Sequence, residues 1–496
     1  MNMKTKFVCS ILLLSFIFFQ FGHCQVLDAV WQLGYNNSPA PYVEGIQVDF
    51  KQGTPQITNF SRKMPFFRAN SGICDSSGNI LFYSNGFWIA DATHDTMLGG
   101  SGLNPGHYAT VWAGDGNGMS QSSLALPVPG YPHLYYLIHE TIDYNPGPFQ
   151  VLRLFKTVVD MSLNNGFGSV ISKNDTVVED TLLFGELTAV KHGNGRDWWL
   201  ITHRWKSDEY YKFLIDPLGI HGPYSQHIGA VCDLGIEGQA CFSPDGTKYA
   251  HANLEVDLEI FNFDRCTGLL SNPVQIFYND SFPPYSVAFS SNSKYLYVST
   301  FYEIHQYDVT ASNIAATDTV VAIYDGFYDQ WPQFQSVFYL AQLAPDNKIY
   351  MTCANSVRYL HVINNPDSPG VACNVQQHSL YLGDWASACV PNYPNFKLGA
   401  WGGSACDTLG VWENFITKGE FEVYPNPAND FITIKSAEKN ITYTKIVDVT
   451  GRIYSLPMDA YGRINIANLG EGLYFVTAFD NLNRIVGRKK FVHTIR

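Results

Sequence analysis

Short apolar runs punctuated by polar turns recur along most of the chain, and three of these junctions share one layout. They are Phe242-Ser243-Pro244-Asp245-Gly246-Thr247-Lys248-Tyr249, Phe289-Ser290-Ser291-Asn292-Ser293-Lys294-Tyr295 and Leu343-Ala344-Pro345-Asp346-Asn347-Lys348-Ile349. Each is the apolar end of one strand, a turn, and the apolar start of the next. The turn chemistry has a cause: Pro presets φ, Asp and Asn bond neighbouring backbone, and Gly or Asn tolerates positive φ. The first two copies begin 47 residues apart and the next two 54. A further strand follows each turn at a similar offset, over 258–264, 303–308 and 359–364, with 211–216 as an earlier copy. A period near 50 residues with loops of variable length predicts a repeated four-stranded unit.

Such units cannot bury both faces alone, so the pattern predicts an all-β fold, a β-propeller. A body over 25–412, at about 50 residues per blade, gives seven or eight blades. Earlier strand pairs fit: 74–85 around Ser76-Ser77-Gly78-Asn79, 124–139, and 187–203 around the hairpin dipeptide Asn194-Gly195. We expect seven blades, with an N-terminal strand within 28–60 helping to close the ring. Amphipathic crossover helices of the kind a βαβ enzyme needs are not visible. The pattern changes at the C-terminus. Phe431, Thr433 and Lys435 alternate with Ile432 and Ile434, and Tyr443, Lys445, Val447 and Val449 with Thr444, Ile446 and Asp448. That period of two predicts a separate small β-sandwich over 421–496, joined by a linker over 413–420.

Composition changes the picture in three places. Charged and aromatic residues each make up 15% of the chain, with 41 Gly and 25 Pro, which suits many short strands and turns. The net charge of −13 divides into +3 for 421–496 and −16 for the rest, so the acidic body argues against a nucleic-acid partner. At the N-terminus, Lys4 and Lys6 precede an apolar run over 7–21, the length of a signal-peptide core and short of a membrane span. Gly22 and Cys24 stand where small residues are wanted for cleavage before Gln25, giving a signal peptide over 1–24. A lipoprotein would use Cys24 instead, but His23 then sits where a small residue belongs. No later run is long enough to span a bilayer, so the mature chain is expected to be soluble or surface-held. Eight cysteines remain: Cys74, Cys232, Cys241, Cys266, Cys353, Cys373, Cys389 and Cys406. In an exported chain they are expected to serve as disulfides or buried thiols.

The end of the chain carries a recognisable order of motifs. Tyr424-Pro425-Asn426-Pro427 opens it, followed by the strand over 431–435, a Thr450-Gly451 turn, Leu469-Gly470-Glu471-Gly472-Leu473-Tyr474-Phe475-Val476 and the basic ending Arg488-Lys489-Lys490-Phe491-Val492. This order and spacing resemble the C-terminal sorting domain (type A) of the type IX secretion system of Bacteroidota-type bacteria. The resemblance implies export to the periplasm, recognition by the secretion machinery, and display at the outer-membrane surface, on lipopolysaccharide or released. The plainer alternative is an immunoglobulin-like accessory module. In the body, the Ser-Pro-Asp-Gly turn resembles that of WD40-like propellers of exported bacterial proteins, although no Trp-Asp signature recurs. Asn194-Gly195-Arg196-Asp197-Trp198-Trp199, Phe263-Asp264-Arg265-Cys266-Thr267-Gly268 and Pro394-Asn395-Phe396-Lys397-Leu398-Gly399 are similar to uncharacterised propeller proteins that end in this same domain. That group implies no activity.

Candidate chemistry is sparse. Arg196, Asp197, Trp198 and Trp199 are the candidate ligand-binding set, an aromatic platform with a polar rim. The plainer reading is a blade hairpin whose two indoles point to opposite faces. His192, His203 and His221 suggest a metal or general base only weakly, because no motif spacing relates them. Asp115-Gly116-Asn117-Gly118 lacks the alternating oxygens of a calcium loop and reads as a turn. Asp143, Glu179, Asp180 and Glu186 could hold a glycosidase pair, though acidic loop residues are ordinary in an acidic domain. The triplets beginning at Asp95, Asp175, Asp180, Asp318 and Asp407 (each Asp-Thr-apolar) resemble an O-glycosylation sequon of such bacteria, and read equally well as turns. Nucleophile-elbow, phosphate-loop and zinc-protease motifs are missing, so catalytic residues are unknown and no metal or cofactor is expected. Two functions survive: a non-catalytic propeller binding a glycan or protein, which the sequence favours, and a polysaccharide-acting enzyme with its site at the propeller channel.

Overall fold

The computed structural model describes residues 26–36, 43–143, 149–232, 238–278, 283–330, 333–407, 421–435, 441–448, 452–459, 461–479 and 485–494. The expected signal peptide, the linker over 413–420 and Gly451 lie outside the described residues. The chain divides into two compact units, 1–399 and 400–496.

The first unit is a seven-bladed β-propeller. Blade 1 has three strands, Val30–Gly34, Gly45–Asp49 and Gln56–Phe60. The other six have four antiparallel strands each, and their innermost strands are Ser71–Cys74, Ser123–Pro127, Thr188–Lys191, Gly238–Phe242, Ser286–Phe289 and Phe338–Leu343. The first strands of blades 1, 2 and 3 are neighbours in turn, as are those of blades 4, 5, 6 and 7, which places them around the axis. Blades 2 and 3 also join at their outer edges through one parallel pairing, Leu98 with Ser169. Residues 28–60 therefore form a blade of their own and do not lend a single strand to another. The ring closes where the outer strand of blade 7, Val375–Ala386, packs on all three strands of blade 1. The only α-helix among the described residues is His107–Val111, and no helix there is long and apolar enough to cross a membrane.

The repeated turns are the hairpins between first and second strands, and they share one bonding scheme. In blade 5 the Asp245 carboxylate accepts from the Thr247 N–H at 2.9 Å, and Gly246 takes φ +72°. In blade 6 Asn292 Oδ1 accepts from the Lys294 N–H at 3.0 Å with Ser293 at φ +63°, and in blade 7 Asp346 accepts from Lys348 with Asn347 at φ +63°. Ser243 and Ser290 each take the N–H five residues on, at 3.0 and 2.8 Å. Side-chain oxygens thus satisfy backbone groups that a tight turn would otherwise leave open.

Apolar layers fill the gaps between blades. Trp198 packs towards blade 3 with Leu124, Leu126 and Phe396, while Trp199 joins Tyr249, Phe261 and Phe263 of blade 5. Adjacent residues on a strand face opposite sides, so one dipeptide serves two layers. Each such aromatic contributes roughly 1.5–3 kcal/mol by leaving water.

After blade 7 the chain returns as a strap, residues 387–399, along the inner ends of five blades. Tyr393 donates to the Val30 carbonyl at 2.9 Å and the Asn392 N–H to that of Asn70 at 2.8 Å. The Asn392 side-chain amide donates to the carbonyls of Ser123 at 3.0 Å and Leu187 at 2.8 Å, bridging blades 3 and 4. Asn395 donates to Pro244 of blade 5 at 2.7 Å.

The second unit carries two sheets. Glu422–Tyr424, Phe431–Lys435 and Arg463–Asn465 form one, and Ile453–Tyr454, Tyr443–Asp448, Gly472–Phe479 and Ile485–His493 the other. Ile432, Ile434, Ile446, Ile464, Val476 and Phe491 fill the space between them, as a small β-sandwich requires. Cys266 and Cys406 are disulfide-bonded, and Cys74, Cys232, Cys241, Cys353, Cys373 and Cys389 are free thiols.

Asn392→Ala leaves the Ser123 and Leu187 carbonyls buried without their donor, and should cost about 2–4 kcal/mol in urea unfolding of the mature protein. A loss below about 0.5 kcal/mol would show that the strap does not tie the ring.

Candidate functional site

The propeller axis holds a blind chamber of about 210 Å³. Its wall is Phe242, Val287, Phe289 and Leu343 from the inner strands of blades 5 to 7, and its mouth carries Pro244, Ser291, Asn347 and Lys397. The mouth therefore opens on the face that bears the repeated turns. The floor is made by two glutamines that act as stand-ins for peptide groups. Gln121 donates to the Ala240 carbonyl at 2.9 Å and accepts from the Ala240 N–H at 2.7 Å. Gln239 does the same with Ala341, at 2.6 and 3.1 Å, and so spans blade 6 to reach blade 7. Gln121 also donates to Asn392 Oδ1 at 3.3 Å, so the strap joins the same side. One carboxyl faces this space: Asp28, whose Oδ1 is buried without a hydrogen-bond partner among the described residues. Burial raises its pKa, and the nearby Lys397 opposes that shift.

A second polar cluster is sealed in the seam between blades 4 and 5. His251 Nδ1 lies 3.1 Å from Glu186 Oε2, and Nε2 lies 3.0 Å from both Glu259 Oε2 and the Tyr210 hydroxyl. Burial disfavours a charged imidazole, but the two carboxyl groups that grip it win, and its pKa is pushed up to about 10. Next to it, burial holds the His203 imidazole neutral, down to about 3, and both of its nitrogens lack partners among the described residues. Burial also raises Glu140 well above the carboxylate range, although the Gly185 N–H donates to it at 3.1 Å. The turn that delivers Glu186 is strained: Gly185 has φ +70° and Glu186 φ +57°. A Cβ at position 185 would stand 2.0 Å from the Ser120 carbonyl oxygen, so only glycine fits. All these side chains are closed off from solvent, so the cluster locks a seam and offers a substrate no approach.

The residues singled out by sequence scatter across the ring. Trp198 and Trp199 are both buried, with Lys191 Nζ 3.8 Å over the Trp198 ring and the Trp199 indole donating to Arg265 O at 2.9 Å. Asp197 is buried and pairs with Arg196 at 2.6 Å, leaving Arg196 as the exposed member of the four, on the chamber-mouth face. His192 caps its own turn by accepting from the Asn194 N–H, His221 pairs with Asp216 at 2.9 Å, and only His203 reaches the seam. Glu179 pairs with Arg153 at 2.7 Å, Asp180 takes the Tyr211 hydroxyl at 2.6 Å and shares Arg204 with Glu209, Asp143 ends a blade 3 strand, and Glu186 shares His251 with Glu259. Asn117 is buried and braces Glu140 and Ser122, a structural turn. Thr96, Thr176, Thr181 and Thr319 of the Asp-Thr triplets all lie on outermost strands, and Thr408 lies outside the described residues. Among the described residues no group of three or more His, Cys, Asp or Glu is placed to hold a metal ion.

Sequence reasoning missed His251, Glu259, Asp28 and the two glutamines. A signal existed for the first: His139, His203 and His251 all sit on the second strands of consecutive blades. The glutamines had none, because an amide that replaces a peptide group leaves no spacing rule.

In the second unit, the final strand draws the terminal motifs together. Asn426 accepts from the Val492 N–H at 2.9 Å and donates to Lys490 O at 3.2 Å. Tyr474 donates to Gly470 O at 2.8 Å, and the His493 ring lies 2.9 Å from that same carbonyl. A family model described as "Secretion system C-terminal sorting domain" matches residues 422–493. The tail is a type IX secretion sorting domain. The sorting domain directs the protein to the cell surface or extracellular space, and its partner is the type IX machinery. Within the sorting domain, Tyr424, Pro425, Asn426, Pro427, Gly470, Gly472 and Tyr474 belong to segments gathered at the last two strands. No curated protein matches the chain. Among solved structures, a protein from Lactobacillus plantarum is 14% identical over 73% of this chain and 98% of its own, with a TM-score of 0.43. The periplasmic gluconolactonase PpgL of Pseudomonas aeruginosa is 12% identical over 72% and 97%, at 0.40. PorZ, a surface component of the type IX system of Porphyromonas gingivalis, is 12% identical over 91% and 73%, at 0.29.

The His251 proton is held to about pH 10 in the folded chain, against about 6.5 in the unfolded one. The stability it contributes is complete below about pH 6.5 and is lost as pH rises towards 10. The raised Glu140 carboxyl acts in the same direction. The urea midpoint should therefore fall between about pH 7 and about pH 9.5, and His251→Gln should flatten that slope while lowering stability at neutral pH. An unchanged slope in the variant would remove the imidazole from this role.

Proposed function

We propose that this is a non-catalytic binding or scaffold propeller, carried to the surface by its tail, that engages a glycan or protein through the chamber-mouth face. In this reading a signal peptide over 1–24 is removed in the periplasm. The body over 25–412 and its linker over 413–420 then travel with the sorting domain over 421–496 to the outer membrane, to be anchored or released. The repeated turns and Arg196 form the rim of that face. The observation that carries the reading is the chemistry of the axis. A glycosidase needs two carboxyl groups flanking the scissile bond, one to donate a proton and one to attack or activate water. Among the described residues the chamber presents one carboxyl group, Asp28, beside the Lys397 cation and amide and apolar side chains, so no carboxyl pair faces it, and the Glu186–His251–Glu259 group is locked in a closed seam.

On a glycan array, the purified mature protein should retain a defined set of glycans while releasing no reducing sugar from the matching polysaccharides. Turnover abolished by a single carboxylate substitution would replace the binder with an enzyme. For export, deletion of 421–496 should leave the body inside the cell, and its normal arrival at the surface would refute the sorting role.

A further inference from the structure

The axial chamber has a chemistry of its own beyond its place on the mouth face. Its volume of about 210 Å³ lies below the roughly 300–1,000 Å³ of sites for drug-sized ligands, and so suits a single ring. Its floor is crossed by the Gln121–Ala240 and Gln239–Ala341 bridges, which narrow the axis below it. Four polar groups remain to meet a ligand. Asp28 Oδ1 is a buried acceptor without a partner among the described residues, and Lys397 is an exposed cation at the rim. Gln342 uses its Nε2 on the Leu343 and Tyr393 carbonyls, which turns its oxygen into a free acceptor, and Asn347 is exposed at the mouth. Phe242 also lines the chamber, its ring held by Tyr249 at 5.2 Å and Phe263 at 4.9 Å.

This set selects by exclusion. A hydrocarbon would leave the Asp28 oxygen buried and unbonded, at a cost of about 1–3 kcal/mol. An anion drawn to Lys397 would be repelled by that carboxyl, and a simple cation drawn to the carboxyl would be repelled by Lys397, so a single charge suits only one of the two. A neutral ring bearing several hydroxyls satisfies all four groups, because each hydroxyl both donates and accepts. Its C–H face can lie against Phe242. We propose that the chamber binds one pyranose ring, its hydroxyls bonded to Asp28 and Lys397 and its apolar face on Phe242. The inference rests on the binding reading above and adds the ligand's class and depth of entry. The ring is either a free monosaccharide or the terminal residue of a glycan chain, since a blind chamber takes a chain end and never an internal segment.

The test is titration calorimetry on the mature protein with the methyl glycosides of mannopyranose, glucopyranose, galactopyranose and xylopyranose. At least one should bind with a single site. Asp28→Asn should weaken it about tenfold or more, and Ser291→Trp, at the mouth, should block it while the circular-dichroism spectrum stays unchanged. Loss of the sugar in the rim variant keeps the test valid even where Asp28→Asn perturbs folding. No binding by any of the four sugars, or binding indifferent to both variants, overturns the proposal. Array binding that persists undiminished in both variants dismisses the chamber and leaves the surface binder standing, whereas an empty array together with no glycoside binding removes the chamber and the glycan form of the surface reading. Binding of the methyl glycoside alone assigns a free sugar; binding of both the glycoside and a polysaccharide that ends in it assigns a chain end.

Discussion

A four-stranded sheet of this size has two apolar faces and nothing within itself to cover them. Blade 4 shows the consequence in one dipeptide, with Trp198 buried against blade 3 and the strap, and Trp199 against blade 5. Every blade must find a neighbour on each side, and a row of such sheets is satisfied only when its ends meet. Here the ends meet through the outer strand of blade 7 lying across the three strands of blade 1. The short blade 1 is tolerated because Val375–Ala386 supplies the cover that a fourth strand would have given.

Closing the ring creates a second problem, since the inner strands converge on an axis lined with backbone. Amide side chains solve it. Gln121 and Gln239 pair with the backbone of Ala240 and Ala341 as another strand would, and Asn392 bonds three blades at once. These bonds cross between blades that are distant in the chain, so they hold the ring against opening at any one seam. They also cross the axis beneath the chamber, which is lined by residues of the turn-bearing face. The buried imidazole of His251 does related work in the seam between blades 4 and 5, where hydrophobic packing gives way to charge.

The tail follows different rules. Its sandwich is completed by the last strand, and the Asn426 amide fastens the opening motif to that strand. A signal formed this way exists only once that strand has folded onto the rest of the sandwich.

Local chemistry was open to sequence reasoning because it repeats. The Asp245, Asn292 and Asp346 turns, the period near 50 residues and the alternation of Phe431 to Lys435 depend on neighbours a few positions apart, and their chemistry is written in those positions. The sorting motifs were legible for the same reason. The three-stranded blade 1, the strap, the glutamine bridges and the Glu186–His251–Glu259 lock were not. Each joins residues tens to hundreds of positions apart, and Gln121 and Ala240 acquire a meaning for one another only at 2.7 Å. The sequence by itself determined the repeating unit, the turns and the address. The tertiary structure decided the closure of the ring, the bridging of its axis and the burial of Trp198 and Trp199, because contacts across a closed circle carry no spacing along the chain.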